Sequence, residues 1–296
     1  MGLKVANGPV SWGVDMPGKA GVPPWTEVFE EMSQAGYRWC ELGPLGYLPD
    51  DDAEVRTTLD ALELGVAGSF VMEPMHDPAR HDEIAAITHT TCSRIAGLGG
   101  EYLVVIEMVT EQRVATAGRS DAARRLEGSE YQDFLAGLRQ VGAIAIEHDL
   151  IPVLHPHVGS HVEFIDEIER VLSDTADDGM QLCVDTGHIA YAGIEPVRFI
   201  AEHRDRCRYL HFKDVDPIVH QQVLREQIGF FDAIALGVFC PIGRGVVDFV
   251  ALARELDNGF HGPGTVEQDR DLGSSTTALE DAVASLDYLR RLGLTD

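Results

Sequence analysis

Short apolar runs alternate with amphipathic stretches along the whole 296-residue chain, and this alternation constrains the fold more than any other feature. Strand-like runs lie at Lys4 to Val10, Tyr37 to Leu42, Gly65 to Val71, Tyr102 to Ile106, Ile151 to Leu154, Gln181 to Val184, Arg208 to Leu210 and Gly264 to Glu267. Between them, apolar residues recur at helical spacing, as in Trp25, Val28, Phe29 and Met32 behind Pro23-Pro24, or Ile84, Ile87, Cys92 and Ile95. Eight strand–helix units with no Pro/Gly/Ser linker imply a parallel sheet with helical crossovers, a single (β/α)8 barrel over residues 1–296. An open doubly wound sheet is the alternative, but no GxGxxG follows the first strand. Two segments depart from the alternation. A charged stretch from Gly118 to Gly128 reads as a lid or surface excursion, and an insertion from Val215 to Gly245 carries a helical pattern near Val219 to Gln227.

In a parallel barrel, the residues at the C-terminal strand ends form the functional face. Here those ends collect Trp12, Glu41, Glu73, Glu107, His155 with His157, Asp185 with His188, His211 with Lys213, and Glu267 with Asp269. One such residue alone is more often a loop hydrogen-bonder or a helix cap, and Asp185-Thr186-Gly187-His188 reads equally well as an N-cap. Four consecutive tips carrying them are harder to explain that way. Alternation sends His211 and Lys213 to one side of their strand, and His155 and His157 bear the same relation across Pro156. Mixed carboxylate and imidazole donors suit one divalent ion, such as Mn²⁺, Co²⁺, Zn²⁺ or Mg²⁺.

Composition narrows the partners. Lys and Arg number 23 against 49 Asp and Glu, a formal net charge of −26 that repels phosphate backbones and anionic lipid, so neither nucleic acid nor a membrane is expected. The same charge disfavours a metal-dependent nuclease of barrel fold. Cys40, Cys92, Cys183, Cys207 and Cys240 stand singly without a CxxC pair, as reduced buried thiols do, and nothing approaches a membrane span or a secretory signal. A cytoplasmic protein is the expectation.

Several motifs taken together resemble the myo-inosose dehydratases, members of the sugar phosphate isomerase/epimerase superfamily of xylose isomerase-like TIM barrels. They are His155-Pro156-His157-Val158-Gly159-Ser160, Val184-Asp185-Thr186-Gly187-His188 followed by Tyr191-Ala192-Gly193, His211-Phe212-Lys213-Asp214-Val215, Gly237-Val238-Phe239 with Gly243-Arg244-Gly245, and Val266-Glu267-Gln268-Asp269. The similarity is colinear from Pro9-Val10-Ser11-Trp12 onward and densest between Leu154 and Asp269.

The resemblance implies one divalent metal, Mn²⁺ or Co²⁺ before Zn²⁺ or Mg²⁺, held by Asp185, His211, Glu267 and a donor from the fifth strand. At that fifth position many relatives carry Glu-Pro where this chain has His155-Pro156; His155, His157 and the more distant Glu163 are the candidates. The implied reaction is dehydration of 2-keto-myo-inositol through an enolate, with Lys213, His157 and His188 as proton-transfer candidates and Trp12, Glu41, Glu107 and Phe239 as substrate contacts. A keto-sugar isomerase or epimerase using the same metal is the rival reading. A non-catalytic sugar-binding barrel is the rival from outside enzymology. In each the partner is a small polyol or keto-sugar, and a homo-oligomer is compatible with all.

Overall fold

The computed structural model describes residues 2–16, 18–274 and 276–296. Eight strands close into a parallel barrel in chain order: β1 (Val5–Asn7), β2 (Trp39–Glu41), β3 (Gly65–Glu73), β4 (Tyr102–Glu107), β5 (Ile151–Leu154), β6 (Gln181–Asp185), β7 (Cys207–Phe212) and β8 (Gly264–Val266), the last pairing with the first. The principal helix after each strand is α1 (Trp25–Ala35), α2 (Asp52–Ala61), α3 (His81–Leu98), α4 (Gly128–Glu147), α5 (Ile165–Asp174), α6 (Pro196–Glu202), α7 (Phe249–Leu256) and α8 (Ala278–Arg291).

Alternation along the strands sorts side chains into two layers. In β4, Val104 and Ile106 join Ala6, Ala67, Val153, Cys183 and Tyr209 inside the barrel, while Leu103 and Val105 pack outward into the larger helix-facing core. The barrel is therefore a packed core, and the polar side chains at the strand ends gather at its C-terminal rim.

Two features of that rim correct or sharpen the sequence reading. The charged stretch after β4 is not a free lid. Arg113, in a short helix at Glu111–Val114, is fully buried, pairs with Glu167 at 2.6 Å and reaches Glu163 at 3.4 Å; Arg125 clasps Asp166 beside it. These ion pairs tie the loop to the start of α5. The insertion after β7 is built from helices at Pro217–Glu226 and Phe230–Ala235 and a two-stranded antiparallel sheet joining Asp214–Val215 to Phe239–Cys240. It is pinned by Asp214, whose buried carboxylate accepts from the backbone N–H groups of Val215, Gly243, Gly245 and Val247 at 2.8–3.1 Å. It also has an apolar cluster of its own, including Val158, Tyr191, Val223, Phe230 and Phe239, which seats it over the tips of β5 to β7.

Candidate metal centre and active site

Strand register brings the site together. Asp185 and His211 are direct neighbours across β6 and β7, following a register shift at Leu182/Cys183 that re-aims the end of β6. Glu267 follows β8 and donates its N–H to Phe212 O, while His155 follows β5 and donates to Val105 O. One ligand atom from each of His155, Asp185, His211 and Glu267 lies within 4.8 Å of all the others, and all four residues are buried. Among the described residues this is the one group so arranged.

Hydrogen bonds to the far side of each group fix which atom faces inward. His155 gives its Nδ1–H to Pro156 O at 2.8 Å, leaving Nε2 as the lone-pair nitrogen, 3.7 Å from Asp185 Oδ2. Burial first, with the neighbouring His211 and Lys213 cations, pushes its pKa down to about 3, so the ring is neutral and able to ligate. His211 gives Nε2–H to Glu41 Oε1 at 3.0 Å, turning Nδ1 toward Glu267 at 3.2 Å and Asp185 at 3.7 Å. A carboxylate behind a histidine is the usual support for a metal-ligating imidazole. Asp185 divides its two oxygens: Oδ1 accepts from Gly187 N and His188 N at 2.8 Å, capping the short helix Thr186–Tyr191, and Oδ2 faces the cluster. The cap and the ligand readings of Asp185 are thus compatible.

Asp185 Oδ2 and His211 Nδ1 are buried and make no well-aligned hydrogen bond; they are met only by charge, Oδ2 by Lys213 Nζ at 3.1 Å and Nδ1 by Glu267 at 3.2 Å. Buried polar atoms are seldom left so, and a shared cation satisfies both at once. Lys213 supplies the nearest positive charge, its Nζ lying 3.1 Å from Asp185 Oδ2 and 3.2 Å from both Glu267 and Asp269. Its aliphatic stem crosses Gly187 so closely that a Cβ there would sit 2.5 Å from Cγ. Burial alone would lower the Lys213 pKa, but Asp185, Asp269 and Glu267 outweigh it and raise it. His211 is likewise pulled down by burial but held well above its ordinary value by the Cys183 thiol and the Glu267 and Glu41 carboxylates. The carboxylates thus hold positive charge at this rim, as a cation site requires, and the donor set fits a divalent ion.

Beside the cluster lies a cavity of about 190 Å³. That is below the range of about 300–1,000 Å³ that houses drug-sized ligands, and so suits a small metabolite. His155, His157, His211, Glu267 and Asp269 form its polar end. His157 donates Nδ1–H to Val158 O at 2.8 Å and stacks on His188 with ring centroids 3.9 Å apart; burial pushes its pKa down to about 3. His188 Nδ1 lies 3.2 Å from Val158 N, and its Nε2 lies 3.0 Å from Lys213 Nζ and 3.6 Å from Asp269. Lys213 and His188 stand behind the cavity wall; His157 is on it.

The four expected substrate contacts lie elsewhere. Trp12 is 3% exposed and its indole N–H donates to Glu31 at 2.6 Å, so the ring belongs to the helix-facing core. Glu41 sits beneath His211, accepting from it and from Tyr209 OH at 2.9 Å. Glu107 is occupied by Met75 N–H and by His76. Phe239 backs Lys213, 5.2 Å from Nζ, rather than lining the cavity. Glu163, the distant candidate for a fifth-strand ligand, is taken up by Gly118 N–H, Gly159 N–H and Arg113. Sequence reasoning missed the apolar wall of Phe70, Met72, Ile106, Met108, Phe230 and Phe231. The i, i+2 spacing of Phe70 with Met72 and of Ile106 with Met108 was its one signal.

Comparison with known proteins agrees with this geometry. The family model for the xylose isomerase-like TIM barrel matches residues 29–292. The chain is 30% identical over 273 residues to an inosose dehydratase of Geobacillus kaustophilus, covering 91% of this chain and 88% of that protein. It is also 30% identical over 281 residues to the rhizopine catabolism protein MocC of Rhizobium meliloti, covering 92% and 83%. In fold it is similar to the solved structure of the IOLI protein with a binding zinc atom, with a TM-score of 0.73 at 15% identity over 99% of each chain. The chain belongs to the xylose isomerase-like TIM barrel family and is an enzyme of the inosose dehydratase-like kind.

Proposed function

We propose that this enzyme is a metal-dependent hydro-lyase that removes water from 2-keto-myo-inositol or a close keto-polyol. The observation that carries the reading is the convergence of His155, Asp185, His211 and Glu267, with Asp185 Oδ2 and His211 Nδ1 turned into the cluster, beside a cavity of small-metabolite size. These four residues would hold one divalent ion, with Mn²⁺ or Co²⁺ preferred to Zn²⁺ or Mg²⁺. Such an ion, when bound, supplies Lewis-acid polarisation of a substrate carbonyl and so acidifies the neighbouring carbon.

The chain's own side chains move the protons. His157 lines the cavity and, with Nδ1–H committed to Val158 O, presents Nε2 as a base for the α-proton. The Lys213 ammonium lies 3.0 Å from His188 Nε2, donates to Asp269 at 3.2 Å and meets the cavity through Asp269. This group delivers a proton to the departing hydroxyl, and the Lys213 charge stabilises the negative charge that precedes departure. Phe239 packs on both Lys213 and His188 without lining the cavity, Phe230 packs on His188 from the cavity wall, and together they exclude water there.

The test is an assay of purified protein, supplied with Mn²⁺ or Co²⁺, for loss of water from 2-keto-myo-inositol and for epimerisation of a keto-sugar panel. His157→Asn lowers kcat about 10²–10⁴-fold without changing metal content, in the range for loss of a positioned acid or base. If inosose is untouched and a keto-sugar is epimerised, an isomerase or epimerase replaces the dehydratase. Unchanged metal content in both Asp185→Asn and His211→Ala would sink the metal site.

A further inference from the structure

A second cavity of about 160 Å³ adjoins the one beside the His/Asp/Glu cluster, and Asp15, Phe70, Met72 and Met108 belong to the walls of both. Its other walls come from the loop after β2, from β3 and from α3, where Leu45, Glu73, Ile87 and Thr91 line it. Two polar atoms of these walls, Asp15 Oδ1 and Thr91 Oγ1, are buried without a hydrogen-bond partner. Asp15 is tied to Lys19 through Oδ2 at 3.0 Å, which leaves Oδ1 free. Thr91 is 3% exposed, and its neighbours on α3 show what it forgoes. Thr88 and Thr90 each donate to the carbonyl four residues back, Ile84 O at 2.7 Å and Ala86 O at 2.9 Å, whereas Thr91 makes no such bond to Ile87. Buried polar atoms are seldom left so, and a ligand that pairs them recovers the cost of their burial.

The chemistry of the lining selects what fills it. Ionised carboxylates only accept hydrogen bonds, so a group meeting Asp15 must donate one, while the Thr91 hydroxyl can do either. No lysine, arginine or histidine among the described residues lines this cavity, and a phosphate or carboxylate there would face charge of its own sign. A cation is not called for either, because Lys19 and Arg80 already pair with Asp15 and Glu73 at 3.0 and 3.7 Å. A neutral hydroxyl meets both requirements; an alkyl chain would leave both atoms unpaired. Reach sets the size of the ligand. Asp15 faces both cavities, but Thr91 does not line the first, so a single ring held at the cluster does not meet it. We infer that the adjoining cavity is a subsite for a neutral, hydroxyl-bearing substituent, and that the enzyme takes a keto-polyol extended by such a group on the ring edge remote from its carbonyl. This refines the dehydratase reading and rests on it for the position of the carbonyl.

The experiment compares four ligands with the Mn²⁺-loaded full chain by titration calorimetry: 2-keto-myo-inositol, its mono-O-(2-hydroxyethyl) and mono-O-propyl ethers at the carbon opposite the carbonyl, and its phosphate monoester at that carbon. The two ethers match in length and differ in one hydroxyl. The hydroxyethyl ether binds at least about tenfold tighter than the propyl ether, the range for leaving a buried polar group unpaired, and tighter than the parent; the phosphate ester binds weakest. Thr91→Val and Thr91→Ala, which remove the hydroxyl, each cut the hydroxyethyl-to-propyl ratio by at least about threefold. Melting curves check that each variant is folded, and either one that folds decides the point. A propyl ether, parent or phosphate ester that binds as tightly as the hydroxyethyl ether, no binding by any of the four, or a ratio unchanged in the folded variants overturns the subsite. Turnover of the same compounds is scored separately. If none loses water while the binding ratio and its fall in the variants stand, the dehydratase reading fails and the subsite remains.

Discussion

Glu41 and His211 lie 170 residues apart and share one buried hydrogen bond, on which the aim of the nitrogen facing the His/Asp/Glu cluster depends. Glu41→Gln therefore weakens Mn²⁺ binding about 10–100-fold, as removal of such a supporting carboxylate typically does, while far-ultraviolet circular dichroism stays unchanged; a fluorescence or calorimetric metal titration reads it. His161 gives a second expectation, concerning pH. It is 7% exposed, packs against His76 and is held to a pKa of about 3 by burial first, then by the Arg113, His76 and Arg124 charges. Its ordinary value is 6.5, so between about 3 and 6.5 the unfolded chain binds the extra proton. The stability this neutral ring contributes is complete above 6.5 and is lost as pH falls, at up to about 1.4 kcal/mol per unit. Urea unfolding at pH 5 and 7.5 shows a smaller loss for His161→Gln than for the parent. Single residues were also where the sequence misled. Glu41 and Glu107 stand at strand tips like substrate-binding carboxylates, but their partners, His211 on β7 and His76 in the turn after β3, come from other parts of the chain, and nothing local announces such pairings. Trp12 follows β1 as a substrate-stacking ring would, yet turns into the core because Glu31 on α1 receives its N–H.

Among the elements, β6 and the short helix after it carry two functions on one carboxylate. Asp185→Asn keeps a capping oxygen but makes a poor ligand, whereas Asp185→Ala loses both. With EDTA present, the Ala variant unfolds about 1 kcal/mol more readily than the Asn variant in urea, and neither gains stability on adding Mn²⁺. The insertion after β7 hangs on Asp214 in the same way. Asp214→Ala leaves four backbone N–H groups without their acceptor and costs about 2–4 kcal/mol after partial rescue by water, measured by thermal or urea unfolding. Strands and helices were legible because their periodicities are local: all eight barrel strands overlap the runs read from sequence. The loop after β4 was not, since its charges suggest solvent and only folding reveals Glu163 and Glu167 waiting for Arg113.

At the scale of the whole molecule, a metal that binds the folded rim and not the unfolded chain stabilises everything by mass action. At a hundredfold excess over Kd this is about 2.7 kcal/mol, or several degrees in Tm for a chain of this size. Calorimetric melting with and without EDTA reads it, and His211→Ala shows no difference between the two. The clustering of His, Asp and Glu on the last four strands was visible in the sequence because each motif is compact. The walls opposite were hidden because Phe70, Met72, Ile106 and Met108 are ordinary strand residues until the barrel closes around them. The closed barrel also divides labour along the chain: every member of the candidate metal cluster falls between His155 and Glu267, while much of the apolar wall falls between Val10 and Val109. Apart from Glu41, which supports His211, the first third of the chain can thus change which molecule is accepted while leaving the reaction intact, so relatives with one chemistry and diverging substrates are the expected products of descent from such a chain.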